Sequence, residues 1–161
     1  MKIYVSGKIT KLSRIETKAA TSFFAELLMS QRLIKNLIIK VKYIKDKQPR
    51  GLCVWMDNNI RPKEFEIELS NKFGRRSLLI SLAHEMVHVK QYLTGQTDDQ
   101  LSSWMGKRVN YEQTNYWDQP WEIDAHGRED GLLTKFAISE CLWEVFHGFR
   151  DPSLPVVSTP I

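Results

Sequence analysis

The sequence predicts a single α+β domain, and three observations carry that prediction. A capped amphipathic segment starting at Ser13 reads as a helix. Three short segments between residues 37 and 69 read as strands separated by turn residues. From Ser77 the apolar spacing turns helical, and a further helix starts near Pro120. With 161 residues the chain has room for one ordinary core and not two. Residues 1–150 are expected to form that domain, and 151–161 an extended tail.

Taken in order, residues 1–5 suit a short strand. Ser13-Arg14-Ile15-Glu16 fits a capping box, in which serine and glutamate satisfy free backbone N–H groups. Ile15, Ala19, Phe23 and Leu27 then recur every four residues, widened by Phe24, Leu28 and Met29, and predict the buried face of that helix. Residues 37–44 are rich in β-branched side chains, and 51–56 carry Cys53, Val54 and Trp55. Residues 64–69 alternate strictly, with Phe65, Ile67 and Leu69 on one face and three glutamates on the other. Short connections predict a small, mostly antiparallel sheet. The strand at 64–69 directly precedes the next helix and is its expected edge.

Residues 77–94 are apolar almost all round, which predicts a helix buried on most sides, and Gly95 is a natural stop. Residues 95–119 are polar and aromatic without a period, a long connection of the kind that often carries function. Pro120 suits a first helical turn. The last helix is expected to run towards Phe146, with Gly127 and Gly131 as candidate breaks, and to close at Gly148 and Pro152.

Composition excludes several classes. Hydrophobic residues are 42% and charged residues 26%, which argues against wholesale disorder. No apolar run has the length of a membrane helix, and the start lacks the long apolar stretch of a secretion signal. Cys53 and Cys141 lie far apart in apolar contexts and read as reduced core residues of a cytoplasmic protein. Charge divides unevenly. Residues 1–76 hold 17 Lys/Arg against 7 Asp/Glu, and residues 77–161 hold 6 against 12. Such a split suits a charged binding face or a site that concentrates carboxylates.

The chemistry resides in His84-Glu85-Met86-Val87-His88. Residues four apart share a helix face, so both imidazoles can reach one metal ion. Glu85 projects to the side, where it can take a proton from an attacking water. Zn2+ suits nitrogen and oxygen ligands and needs no redox chemistry. Leaving these groups unpartnered on an apolar helix is costly. A third ligand is required, and Trp121-Glu122-Ile123-Asp124-Ala125-His126 is the place for it. Glu122 and His126 share a face with Ala125, whose small side chain allows close helix approach. Both are candidates, Glu122 the preferred one. His126 would then contact the ligand shell or donate to an oxyanion. Asp124 points elsewhere and reads as a solvated or dipole-paired carboxylate.

With these residues the chain resembles the zincin metallopeptidases. His84-Glu85-Met86-Val87-His88 followed by Glu122-Ile123-Asp124-Ala125 is similar to the gluzincin branch. That resemblance implies a helix, a small sheet, the metal-binding helix and a second helix bringing the third ligand. It also implies His84, His88 and Glu122 as metal ligands, Glu85 as the catalytic base, and peptide or protein substrates. The chain is also similar to small SprT-like zincin domains of bacteria and phages, which use a third histidine. His126-Gly127 would play that part, in a protease that acts on proteins held on DNA. The His-x-x-Gly-x-x-His continuation of metzincins is absent: Val89-Lys90-Gln91-Tyr92 follows His88.

Further expectations are weaker. Zincin edge strands bind extended peptides by strand addition. Tyr111 and Tyr116, in the long connection, are better placed than Tyr92 to donate to an oxyanion, and Tyr111 with Glu85 and His126 makes up the expected catalytic set. Trp104, Trp117 and Trp121 wall a cleft or fill core. Lys35, Lys40, Lys42, Lys45, Lys47 and Arg50 would support nucleic-acid binding, although alternating lysines on a sheet more often form a solvated face. A non-catalytic, zinc-stabilised interaction module is the remaining alternative.

Overall fold

A computed structural model describes residues 1–9, 11–45, 48–57 and 62–140. The chain runs β1 (Lys2–Gly7), α1 (Arg14–Leu28), a short α2 (Gln31–Ile34), β2 (Ile38–Ile44), β3 (Gly51–Trp55) and β4 (Glu64–Ser70). It continues through α3 (Arg75–Leu93), the two-stranded hairpin β5 (Ser103–Trp104) and β6 (Lys107–Arg108), two 3-10 turns, and α4 (Pro120–Ser139). This is an α+β arrangement, with helices on one face of a four-stranded sheet.

The strand order is β1-β2-β4-β3. β1 and β4 both pair with β2 in parallel, and only β3 runs antiparallel, against β4. The sheet is therefore mixed, not mostly antiparallel. Short loops favour antiparallel pairing only between strands that become neighbours, and β3 passes over to the far side of β4. What joins β2 to β4 is charge as well as apolar burial. Lys40 and Lys42 stand opposite Glu66 and Glu68. Lys40 pairs with Glu64, and Lys42 lies 3.6 Å from Glu66 and 3.8 Å from Glu68. β3 carries no carboxylate to make such a ladder. The predicted edge is corrected too: β4 lies inside the sheet, whose edges are β1 and, on the side of β4, β3.

On the other face Ile39, Val41 and Tyr43 of β2 and Phe65, Ile67 and Leu69 of β4 are buried against the helices. The serine half of the expected capping box is present, the Ser13 hydroxyl accepting from the Glu16 N–H at 3.0 Å, while the Glu16 carboxylate accepts from Arg75 instead of closing the box. Its buried face differs from the expected stripe. Thr17, Ala20, Thr21, Phe24 and Ala25 face the core, whereas Ile15 is 82% exposed. Thr17 can be buried because its hydroxyl meets the Ser13 carbonyl at 2.8 Å and the Tyr43 hydroxyl at 2.7 Å. Thr21 donates to the Thr17 carbonyl at 2.7 Å.

α3 is the central helix. It is buried along nearly its whole length and touches α1, α4, β3 and β4. Gly95 ends it with φ +67°, a left-handed conformation that glycine adopts without strain. α4 starts at Pro120 as predicted and runs unbroken through Gly127 and Gly131. Its expected extension to Phe146, Cys141, the stop at Gly148 and Pro152, and the tail lie outside the described residues. No described helix is long and apolar enough to cross a membrane.

Candidate metal centre

α3 and α4 cross with Ala125 fully buried between them. The close approach brings the first turn of α4 against the middle of α3. His84 Nε2 and His88 Nε2 lie 3.1 Å apart. Glu122 Oε2 is 3.1 Å from His84 Nε2, and Glu122 Oε1 is 3.5 Å from His88 Nε2. Ligands held about 2.0–2.1 Å from a tetrahedral ion stand roughly 3.3 Å from one another. The observed separations lie about that value, the two to Glu122 being to different oxygens of its carboxylate.

The protons give a second argument. His84 Nδ1–H donates to Glu129 Oε2 at 2.7 Å. His88 Nδ1–H donates to Gln91 Oε1 at 2.8 Å. Each neutral ring has then spent its one proton, and both Nε2 atoms present lone pairs. They face each other and a carboxylate, so acceptors converge with no donor among them. Such a cluster needs a cation, either a metal ion or an added proton. Without a metal the proton is held tightly. Burial pulls His84 down, but its bonds to Glu122 and Glu129 outweigh this and push it up to about 10. His88 is raised against the same burial, chiefly by Glu122. Burial works against an ionised Glu122, yet the two imidazoles hold it far below the usual carboxylate range.

His84, His126 and Glu129 form a second grouping. Here the contacts read as hydrogen bonds. The 2.7 Å from His84 Nδ1 to Glu129 is shorter than an edge of a tetrahedral site, and His126 Nδ1 lies 3.3 Å from the same oxygen. His126 Nε2 is 3.3 Å from the Tyr116 hydroxyl. His126 thus stands beside the His84–His88–Glu122 trio, bonded to Glu129 and Tyr116.

Glu85 is 5% exposed and turns towards β3. Burial raises its pKa, and His88 and His84 moderate the rise. A backbone hydrogen bond from Cys53 holds the carboxylate, and the bare Cα of Gly51 makes room for it. A Cβ at residue 51 would lie 2.4 Å from Glu85 Oε1.

The chain has no match among protein-family models, curated proteins or solved structures.

Other expected residues fall in different places. Tyr111 is not brought to the trio. It is 49% exposed, packs on Trp121 at 6.4 Å and lines an open groove with Arg108 and Glu112. Tyr116 is the tyrosine at the site, because its 3-10 turn directly precedes α4. Burial and a hydrogen bond to Glu122 both raise its pKa. Tyr92 packs between Trp55 and Phe65. Trp121 is core, whereas Trp117 is 67% exposed and lies against His126 at 5.1 Å.

Sequence reasoning missed Glu129, Gln91 and Gly51. Two of these had a signal. Glu129 lies seven residues after Glu122, on the same helix face, and Gln91 lies three after His88. Gly51 had none, since its contact with Glu85 spans the fold.

Chemically, the arrangement offers two nitrogen donors and one oxygen donor with their outer nitrogens already oriented. A buried carboxylate stands on the same helix, and a phenol and an imidazole lie alongside.

Proposed function

We propose that this protein is a zinc-dependent metallopeptidase of zincin type, with His84, His88 and Glu122 as ligands. The observation that carries the reading is the convergence of His84 Nε2, His88 Nε2 and Glu122 at 3.1–3.5 Å, with the Nδ1 atom of each ring already bonded, to Glu129 and to Gln91. The donor set suits zinc, and a three-ligand site leaves the fourth position open to chemistry. Bound zinc supplies a Lewis acid that acidifies water and polarises a carbonyl.

The chain's own groups do the rest. Glu85 accepts the proton of the attacking water and passes it to the departing amine. Burial raises its pKa, which makes it a stronger base than an exposed carboxylate. Tyr116 supplies an O–H beside Glu122, suited to a developing oxyanion, and takes the part expected of Tyr111. Substrate binding by strand addition belongs to β3. Ser70 N–H bonds to the Arg50 carbonyl, and Met56 N–H bonds to the Glu64 carbonyl, both at 2.9 Å. The even-numbered residues therefore face β4. The backbone groups of Gly51 and Trp55 and the Cys53 carbonyl point to the open edge, and the Cys53 N–H there is taken by Glu85.

His126 binding to Glu129 and Tyr116 favours Glu122 as the third ligand. The test is metal analysis of the purified protein, followed by cleavage of a peptide library with Glu85→Gln as control. One equivalent of zinc is expected, with cleavage lost on chelation and in Glu85→Gln. A protein that takes up no zinc refutes the metal centre. A zinc-loaded protein that cleaves nothing refutes the peptidase and leaves a structural site.

A further inference from the structure

We propose that Asp124 is a positioning residue for His88, acting through the carboxamide of Gln91. The inference rests on the metal reading above. Gln91 is fully buried, and its amide can face His88 in two ways. With Oε1 forward it accepts the Nδ1–H of His88, and the lone pair on Nε2 is free for a metal. With the amino group forward it would donate to Nδ1, move the ring proton to Nε2 and block the ligand atom.

What selects the first orientation lies behind the amide. Gln91 Nε2 donates to the Trp121 carbonyl at 2.9 Å and to Asp124 Oδ2 at 3.2 Å. Both partners are acceptors only, so they exclude the flipped amide, and the bond to the carboxylate is the charge-assisted one. Asp124 is itself held from both helices. Arg128 of α4 donates to Oδ1 at 2.6 Å, and Lys90 of α3 lies 3.4 Å from Oδ2. The carboxylate that reads in the sequence as a solvated group therefore anchors a relay from Arg128 and Lys90 through Gln91 to His88. His84 has no such dependence. Its partner Glu129 is a carboxylate, which accepts in either orientation.

The experiment uses the intact protein loaded with zinc or cobalt. In the cobalt form, the Nδ1–H protons of the two histidine ligands give separate, shifted, exchangeable proton resonances. Asp124→Ala is expected to weaken zinc binding about tenfold. It should also speed solvent exchange of the His88 proton and leave that of His84 unchanged. Asp124→Asn, which still offers an oxygen to the amide, should bind nearly as the wild type. Should Asp124→Ala fail to fold, Asp124→Ser carries the same test with a side chain too short to reach the amide. Wild-type affinity and exchange in Asp124→Ala would overturn the proposal. So would weaker binding with the His88 and His84 exchange rates moved equally, which is the result for a mere tie between helices. A wild type that takes up neither metal overturns the metal reading, and this proposal with it; the two failures are told apart by that first measurement.

Discussion

Gly51→Ala tests the proposed base, Glu85, separately from the proposed metal centre. The new methyl carbon would lie 2.4 Å from Glu85 Oε1 and 3.0 Å from its Cδ and Cγ. Ordinary contact is about 3.5 Å, so roughly 1 Å must be found. β3 cannot easily supply it. Gly51 stands opposite Leu69, and the neighbouring Arg50 carbonyl accepts from Ser70. The carboxylate is the softer partner, and its retreat loosens the bond from Cys53. A misplacement of about 1 Å at a reacting group costs on the order of 100-fold in rate, or about 2.7 kcal/mol of barrier. His84, His88 and Glu122 lie on α3 and α4 and should stay as they are. The assay is therefore paired: peptide cleavage rate beside zinc per chain. Cleavage should fall about 100-fold with zinc unchanged. Wild-type cleavage in Gly51→Ala would refute the clamp on Glu85. Zinc lost together with activity would refute it too, since the damage would then lie at the ligands.

Three further predictions concern the ligands and the core. Glu122→Ala should lose zinc at micromolar protein, whereas His126→Ala should retain one equivalent; metal analysis after gel filtration decides between them. In the metal-free protein His84 is pushed up to about 10, so at pH 7 zinc must displace at least one proton. Affinity should therefore rise with pH, up to about tenfold per unit until pH 10 is approached, and calorimetry in buffers of different ionisation enthalpy should register the released proton. Ile67, fully buried in β4, should cost about 2–5 kcal/mol when cut to alanine, read from denaturant melts with an unchanged slope.

The parts of the fold legible in the sequence are those governed by near neighbours along the chain. The His84–His88 spacing, the start of α4 at Pro120, the stop at Gly95 and the alternation of 64–69 all follow from local geometry, and the structure has each of them. The buried face of α1 was hidden for a physical reason. Threonine counts as polar in a hydrophobic stripe, yet Thr17 and Thr21 satisfy their hydroxyls within the helix and on Tyr43. Strand order was hidden because it depends on which strands meet across the fold. The lysines of β2 and the glutamates of β4 were read separately, as a basic patch and an acidic face, when each is the other's partner. Glu129 was passed over because Glu122 and His126 already supplied the donors a metal requires. It became visible only once the Nδ1 proton of His84 needed an acceptor.

The same pairings change the meaning of the charge split. Four of the 17 cations of the first half are paired within the molecule. Lys40 and Lys42 face the glutamates of β4, Arg75 donates to Glu16 at 2.6 Å, and Arg76 reaches Asp130 at 3.3 Å. Lys40 and Lys42, two of the six cations expected to face phosphate, are already matched by carboxylates, which weakens them as phosphate contacts. The acidic second half is not balanced in that way at its centre. Glu85, Glu122 and Glu129 gather around two imidazoles of α3, and the cations nearest in sequence, Lys90 and Arg128, are committed to Asp124. A buried group of carboxylates that draws protons this strongly is short of positive charge at one place, between His84, His88 and Glu122. A proton held on His84 would supply it in the metal-free chain, and a divalent ion bound by both imidazole lone pairs and Glu122 would supply it in exchange for that proton.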